Sequence, residues 1–274
     1  MSRVAVVTGA ARGIGAATVR GLAAAGWSVV AVDRGSDDGR LPYPMAGPAE
    51  LDAVVAEALA LLPAPPGAAP GEDGRIIARL ADTTDSDALA AVVAETEERF
   101  GGLDAMVAVA GVIAGGVPLW EMPRHELDAV LDVDLGGPIT AARVGIPALL
   151  RRPAPRSGRF LAVASAAATR GLPMLSAYGA AKAGVAGLVR GLAVELADSG
   201  VTANAVSPGS TATAMLDESA RIYGLADSSS FADQQPVRRL LAPEEVAAAL
   251  VWLAGTQSGG LTGAVIPVDG GLGL

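Results

Sequence analysis

The chain has 274 residues, half of them hydrophobic, no cysteine, and a formal net charge of −9. That length and apolar content suit one large α/β core and exclude a mainly disordered chain. The acidic balance, with no cluster of Lys and Arg, excludes a nucleic-acid or anionic-membrane surface, and the lack of cysteine removes disulfide frameworks and thiolate metal sites.

The first expected strand is RVAVVT (3–8), which the N-terminal MSRVAVVTG enters directly, without a signal-peptide pattern. No apolar run reaches the ~18 residues of a membrane span, so a soluble, cytoplasmic protein is the expectation. The strand runs into TGAARGIG (8–15). Gly9, Gly13 and Gly15 let the backbone turn tightly and approach a pyrophosphate. A helix beginning near Gly13 and Ile14 would aim its first amides at that anion. Alone, a glycine-rich turn is weak evidence. Here it follows a strand, opens a helix and precedes a second strand, SVVAVD (28–33), that ends on Asp33. A carboxylate there accepts from the adenosine ribose hydroxyls and repels a 2′-phosphate, which favours NAD over NADP. Arg12 and Arg34 stand against this preference, since either is long enough to meet a phosphate.

From Asp33 to Asp82 the chain is far longer than a crossover helix requires. This insertion, about residues 35–74, contains GRLPYPMAGPAEL (39–51) and the proline- and glycine-rich LLPAPPGAAPGEDG (61–74), which reads as a surface loop. The first stretch leaves strand two beside the ribose-binding acid. It is either a rigid cover over the adenosine half of a bound nucleotide or a neutral surface insertion.

The third strand is RIIARLA (75–81), followed by Asp82-Thr83, and the fourth is DAMVAVA (104–110), followed by Gly111. His125, the sole histidine, sits in the polar helix start PRHELDAV without partners at metal-ligand spacing, so no metal is expected. Trp120 and Met122 in PLWEMP fit a substrate mouth or the core equally well. Arg151 and Arg152 read as the basic end of a helix.

After the fifth strand, RFLAVA (159–164), come Ser165, Tyr178 and Lys182. Tyr178 and Lys182 are four apart on a helix and share a face. An ammonium beside a phenol favours the phenolate, making Tyr178 a candidate acid/base for a hydroxyl or carbonyl. Ser165 lies at the C-terminal edge of the sheet, where α/β folds bind ligands. The remaining strands are VTANAVS (201–207) and AVIPVD (264–269). Between them, residues 214–236 are expected to form a substrate lid, with Met215, Leu216, Ile222, Tyr223 and Leu225 suited to a moderately apolar substrate. Most strands are continuous apolar runs separated by helices, the pattern of a parallel sheet buried on both faces. The expectation is a single-domain, Rossmann-type, doubly wound α/β fold with seven parallel strands over residues 1–274.

Over its whole length the chain resembles the short-chain dehydrogenase/reductase family, through TGAARGIG, Asp82-Thr83, Ser165, YGAAK, NAVSPG (204–209) and TGAVIPVDGG (262–271). The resemblance implies hydride transfer at a nicotinamide, a homotetramer, proton exchange by Tyr178, a nicotinamide ribose held by Lys182, and a substrate oxygen oriented by Ser165. It also implies an adenine site near Asp82 and Thr83, and a loop over the nicotinamide from Pro208 and Gly209 through Thr211 to Thr213. The helices GPITAARVGIPALL and AAKAGVAGLVRGLAVELA, apolar or small on more than one face, agree with burial between subunits.

Two departures stand out. Ala108-Val109-Ala110-Gly111 replaces the family's Asn-Asn-Ala-Gly, although Ala110 and Gly111 still permit close cofactor approach. Asp134, in DLGG, replaces the asparagine that helps hold a water behind the lysine. An ionised Asp134 only accepts hydrogen bonds and offsets the lysine charge, whereas a protonated one imitates the amide. It is either a tolerated member of the proton relay or a source of impaired activity. LPYPMAGPAEL, the long crossover and PGSTATAML…IYGL (208–225) further resemble the mycofactocin-coupled branch. That likeness implies captive NAD recycled in place by a peptide-derived redox carrier. Two other readings remain open: an ordinary ketoreductase exchanging its nucleotide freely, and a nucleotide-binding protein with weakened catalysis.

Overall fold

A computed structural model describes residues 2–63 and 74–274. The elements run β1 (Val4–Thr8), α1 (Gly13–Ala24), β2 (Ser28–Asp33), α2 (Pro48–Leu61), β3 (Ile76–Leu80), α3 (Ser86–Phe100), β4 (Ala105–Ala108), α4 (Arg124–Leu131), α5 (Gly137–Arg151), β5 (Arg159–Val163), α6 (Ser176–Glu195), β6 (Thr202–Pro208), α7 (Ala214–Ile222), α8 (Pro243–Ala254) and β7 (Val265–Val268). Every expected strand is present, β2 with the expected bounds and the other six trimmed or displaced by one or two residues.

The seven strands form one sheet in the order β3-β2-β1-β4-β5-β6-β7, and every neighbouring pair is parallel. Alternation along each strand feeds two cores. Ala5, Val7 and Val29 pack with Val19, Leu22, Leu51 and Leu250 beneath α1, α2 and α8. Val6, Met106 and Phe160 pack with Leu89, Leu149 and Val185 of α3, α5 and α6 on the other face. Strands covered on both sides must be apolar at every position, which is why they read as continuous runs. The strand order reverses between β1 and β4, opening a crevice at their C-terminal ends.

Two local features set up that crevice. The crossover from β2 to β3 contains an ordinary helix, α2, so the extra chain described here is the loop of residues 34–47 before it. The expected loop GRLPYPMAGPAEL therefore ends inside a helix: Pro48 begins α2, and the Glu50 carboxylate accepts from the Gly47 N–H at 2.9 Å. Most of the second expected loop, residues 64–73, lies outside the described residues. The other feature is a π-helical stretch, Asp132–Gly136, joining α4 to α5. Pro138, just after it, has no N–H to give the carbonyl of residue 134, and its ring crowds that carbonyl. The Gly137 N–H bonds instead to the carbonyl of Asp132, and the widened turn turns Asp134 toward the core.

His125 is exposed at the start of α4. Trp120 is 83% exposed, so it is not part of the core, and Met122 packs at the edge of an apolar cluster. Arg151 does end a helix, where it pairs with Glu97. Arg152 reaches back to Asp104, which also accepts from the Val4 N–H and so fixes the start of β1. Among the described residues no helix is long and apolar enough to cross a membrane.

Candidate active site

A cavity of about 930 Å³ runs along the C-terminal ends of the strands. Its floor at one end is the turn after β1. Gly9 has φ +67, and a Cβ there would lie 2.6 Å from the backbone of Ala110 on the neighbouring strand end. A Cβ on Gly15 would lie 1.9 Å from the Gly9 carbonyl oxygen. The turn is thus pressed against β4 on one side and α1 on the other, a space that only glycine fits. Arg12, at the N-cap of α1, supplies no side-chain cap, which leaves the amides of Gly13, Ile14 and Gly15 open to an anion.

Asp33 ends β2 on the cavity wall and accepts from the Ala11 N–H at 3.0 Å. Burial raises its pKa against bonds from the amides of Ala11, Gly35 and Arg34. The carboxylate therefore ties the glycine turn to β2 as well as facing the cavity. The two arginines long enough to meet a 2′-phosphate are committed elsewhere. Arg12 grips both oxygens of Glu50 at 2.6 Å, and Arg34 bonds Asp38 at 2.7 Å and lies 3.4 Å from Asp82. Thr83, beside Asp82 on the same wall, has a buried hydroxyl with no protein partner. An orphaned donor, open amides and a carboxylate on the cavity wall at the end of β2 together fit an adenine dinucleotide without a 2′-phosphate.

At the other end Ser165 lies just beyond β5, and its Oγ accepts from the Ala167 N–H at 3.1 Å. Tyr178 and Lys182 enter the same space from α6, both buried. The Lys182 ammonium lies 5.6 Å from the Tyr178 ring centre, and donates to the Val163 carbonyl at 3.2 Å and to Asp134 Oδ1 at 3.0 Å. Asp134 Oδ1 also accepts from the Val112 N–H at 3.2 Å. The other carboxylate oxygen is buried without a partner, so a proton there would have no protein acceptor. Asp134 thus meets the lysine as its hydrogen-bonded partner, and burial raises the Asp134 pKa against the pull of Lys182 and of the Val112 N–H.

Lys182 favours the phenolate, as its spacing leads one to expect, but burial acts against it. Burial raises the pKa of Tyr178; Lys182 and a hydrogen bond with Ser165 pull it down, and Asp134 pushes it up again. The net direction is upward, so the phenol keeps its proton instead of being poised as a phenolate. Burial disfavours the Lys182 charge too, but Asp134 and Tyr178 outweigh it and raise the lysine pKa.

The wall over this end is the loop after β6. Pro208, Gly209, Thr211 and Thr213 all line the cavity, and Thr213 caps α7 by accepting from the Leu216 N–H at 3.3 Å. Gln235, fully buried, holds the loop: its Oε1 accepts from the Ser210 N–H at 3.0 Å, and its Nε2 donates to the carbonyls of Ser210 and Arg239. Beyond the loop, Leu172, Leu175, Met215, Leu225 and Phe231 make an apolar chamber. The Tyr223 hydroxyl donates across its mouth to the Pro173 carbonyl at 2.7 Å.

All the expected site residues except Asp134 line this one cavity, Ala110 and Gly111 included; Asp134 stands behind Lys182. Sequence reasoning missed Gln235, Tyr43, Asp38 and Glu218, the last three also on the cavity wall. Tyr43 stood inside LPYPMAGPAEL, but nothing in that string shows which way its side chain points.

A family model described as enoyl-(acyl carrier protein) reductase matches residues 68–273, and one described as short chain dehydrogenase matches residues 3–44. The chain is 40% identical to the short-chain reductase protein NovJ of Streptomyces niveus, over 98% of this chain and 93% of that one. It is 39% identical to the cis-4-hydroxycyclohexanecarboxylate dehydrogenase of Sinomonas cyclohexanicum, over 98% and 96%. Among solved structures, carveol dehydrogenase from Mycobacterium avium in complex with NAD superposes with a TM-score of 0.88 at 28% identity, covering 98% of this chain and 97% of that one. With the glycine turn, the buried Tyr178–Lys182 pair and the seven-stranded sheet already in place, these likenesses identify the chain as an oxidoreductase belonging to the short-chain dehydrogenase/reductase family.

Proposed function

We propose that the chain is an NAD-dependent dehydrogenase that interconverts a moderately apolar secondary alcohol, in the first instance a ring alcohol, and its ketone. The observation that carries this reading is the meeting of Ser165, Tyr178 and Lys182 at the apolar end of a cavity whose other end is lined by Asp33 and the glycine turn. NAD, when bound, supplies the hydride acceptor at its nicotinamide ring, and its reduced form the donor. Gly9, Gly13, Ile14 and Gly15 hold the pyrophosphate, Asp33 the adenosine ribose, and Asp82, Thr83, Ala110 and Gly111 the adjoining wall; Arg12 and Arg34 act through the carboxylates they grip. Pro208, Gly209, Thr211 and Thr213 close over the nicotinamide.

Ser165 orients the substrate oxygen by hydrogen bonding, and Tyr178 takes its proton in oxidation or gives one in reduction. Lys182 holds the nicotinamide ribose and stabilises the phenolate, while Asp134 fixes the ammonium from behind. Residues 214–236 serve as the substrate lid, and their apolar side chains exclude water around the transferred hydride. An Asp33-directed preference for NAD favours the oxidative direction. A panel of cyclic secondary alcohols, neutral and carboxylate-bearing, with reduced nicotinamide as readout, tests the proposal; no turnover in either direction across the panel would count against it.

The finer proposal is that NAD stays bound through many turnovers and is recycled in place by a mycofactocin-type redox carrier. Its support is the path of residues 34–47, which leave β2 beside Asp33 and reach the opposite side of the crevice. There Arg40 bonds Asp132 at 2.7 Å and Tyr43 bonds the Ile113 N–H. Prolonged dialysis followed by denaturation tests it. Near-stoichiometric NAD in the released fraction is expected, and an empty protein would leave an ordinary exchanging enzyme. A homotetramer is proposed as well, supported by the half-exposed edge strand β7 and by Trp252, 47% exposed on α8.

A further inference from the structure

Residues 34–47 bring one polar side chain into the cavity that the scheme above leaves without a task. Tyr43 lines the cavity, and its ring packs at the edge of the apolar cluster that holds Leu41, Val112, Ile113 and Tyr178. Its hydroxyl oxygen accepts from the Ile113 N–H at 2.9 Å. That bond uses a lone pair and leaves the hydroxyl hydrogen available to a second partner. The carboxylates on the same stretch of wall are already engaged: Asp38 by Arg34 and Arg40, and Glu218 by Arg221.

We propose that Tyr43 donates its hydroxyl hydrogen to an acceptor oxygen of the sugar–phosphate chain of the bound dinucleotide, so that the insertion contributes a binding residue as well as a cover. The inference rests on the dinucleotide reading above. Three observations support it. Ile113, which fixes the hydroxyl, is two residues from Gly111, where an added Cβ would lie 2.7 Å from Asp134 and 3.4 Å from the Lys182 ammonium. Tyr43 is therefore fixed on the cavity wall two residues along from the point where the strand end meets Lys182.

The side chain is also held in place before any ligand arrives. Arg40 is fixed by Asp38 at 2.8 Å and Asp132 at 2.7 Å, Leu41 is buried, and the Met45 N–H bonds Asp37 at 2.8 Å. A donor fixed in advance loses little entropy on binding. Finally, burial raises the Tyr43 pKa, and the charges of Asp134, Glu218 and Asp38 act in the same direction. The phenol keeps its hydrogen and stays a donor, the form that suits phosphate or ribose oxygens.

Tyr43→Phe tests the proposal, because it keeps the ring and removes only the hydroxyl. Protein is stripped of nucleotide, reloaded with NADH, and diluted into excess NAD while the loss of NADH fluorescence reports release. Melting temperature is read for stripped and loaded forms of both proteins. Release about tenfold faster in Tyr43→Phe is expected for one lost hydrogen bond to an anionic chain, together with a smaller rise in melting temperature on loading. Loss of the Ile113 bond alone lowers stripped and loaded forms alike and leaves the rise unchanged. An unchanged rise, or equal release rates, would overturn the proposal. Wild-type release within seconds would end the captive-cofactor reading, while the ratio of the two rates would still decide the role of Tyr43.

Discussion

The carboxylate of Asp134 lies 3.0 Å from the ammonium of Lys182, and both side chains are buried. Lys182 is the charge that should lower the pKa of Tyr178, and Asp134 works against it. Replacing Asp134 by Asn keeps the size and an acceptor oxygen while removing the anion. The expected outcome is a rise of alcohol oxidation that begins at lower pH than in wild type, with the maximal rate changed by less than about tenfold, small beside the contribution of a general acid–base group. A larger gain would mark the natural chain as one weakened by this carboxylate. Steady-state or single-turnover pH profiles of both proteins decide it.

Tyr178 itself sets the pH dependence of the two directions. Its pKa is raised above the usual phenol value, chiefly by burial, so near neutrality it is protonated and competent as an acid. Ketone reduction should therefore be flat through neutral pH and fall only at alkaline pH. Oxidation, which needs the phenolate, should keep rising as the pH increases. Tyr178→Phe should lower both directions by about 10²–10⁴-fold while leaving nucleotide content after dialysis unchanged.

Much of this was legible in the chain because it depends on local pattern. Strands buried on both faces must be continuous apolar runs, and a turn wedged between Ala110 and α1 must carry glycine at positions 9 and 15. The contacts of the long insertion were not legible, since proline fixes the local backbone but says nothing of what lies across the crevice. Arg12 and Arg34 looked like phosphate ligands because their partners, Glu50 and Asp38, sit in that same patternless stretch. The upward direction at Tyr178 was missed for a related reason: spacing shows the ammonium beside the phenol but not the burial that outweighs it.

The pairing of those arginines bears on nucleotide choice. Asp33→Ser removes the carboxylate proposed to hold the adenosine ribose and also the tie to the Ala11 N–H. Affinity for NAD should fall by about tenfold, in line with loss of a charge-assisted hydrogen bond. NADP should gain little, because the neighbouring guanidiniums remain held by Glu50, Asp38 and Asp82. Titration of stripped protein with both nucleotides checks this. Tight NADP binding by the single variant would show that Arg12 or Arg34 leaves its carboxylate readily.

Gln235 offers the sharpest test of how the loop after β6, proposed to cover the nicotinamide, is held. The side chain is fully buried and makes three hydrogen bonds, two with Ser210 and one with the Arg239 carbonyl. Gly209 packs directly against it, since a Cβ there would lie 2.4 Å from its Oε1. Gln235→Ala leaves the Ser210 N–H without its side-chain partner and opens a space beside Gly209. A loss of about 1–3 kcal/mol is expected for the unpaired buried groups, read from chemical denaturation. Because Ser210 adjoins Gly209 and Thr211 on the cavity wall, the apparent affinity for the nicotinamide half should fall as well. Comparing NAD with ADP-ribose, which lacks the nicotinamide ring, separates the two effects. A loop held by Gln235 weakens NAD binding more than ADP-ribose binding, whereas a purely global loss of stability lowers both equally.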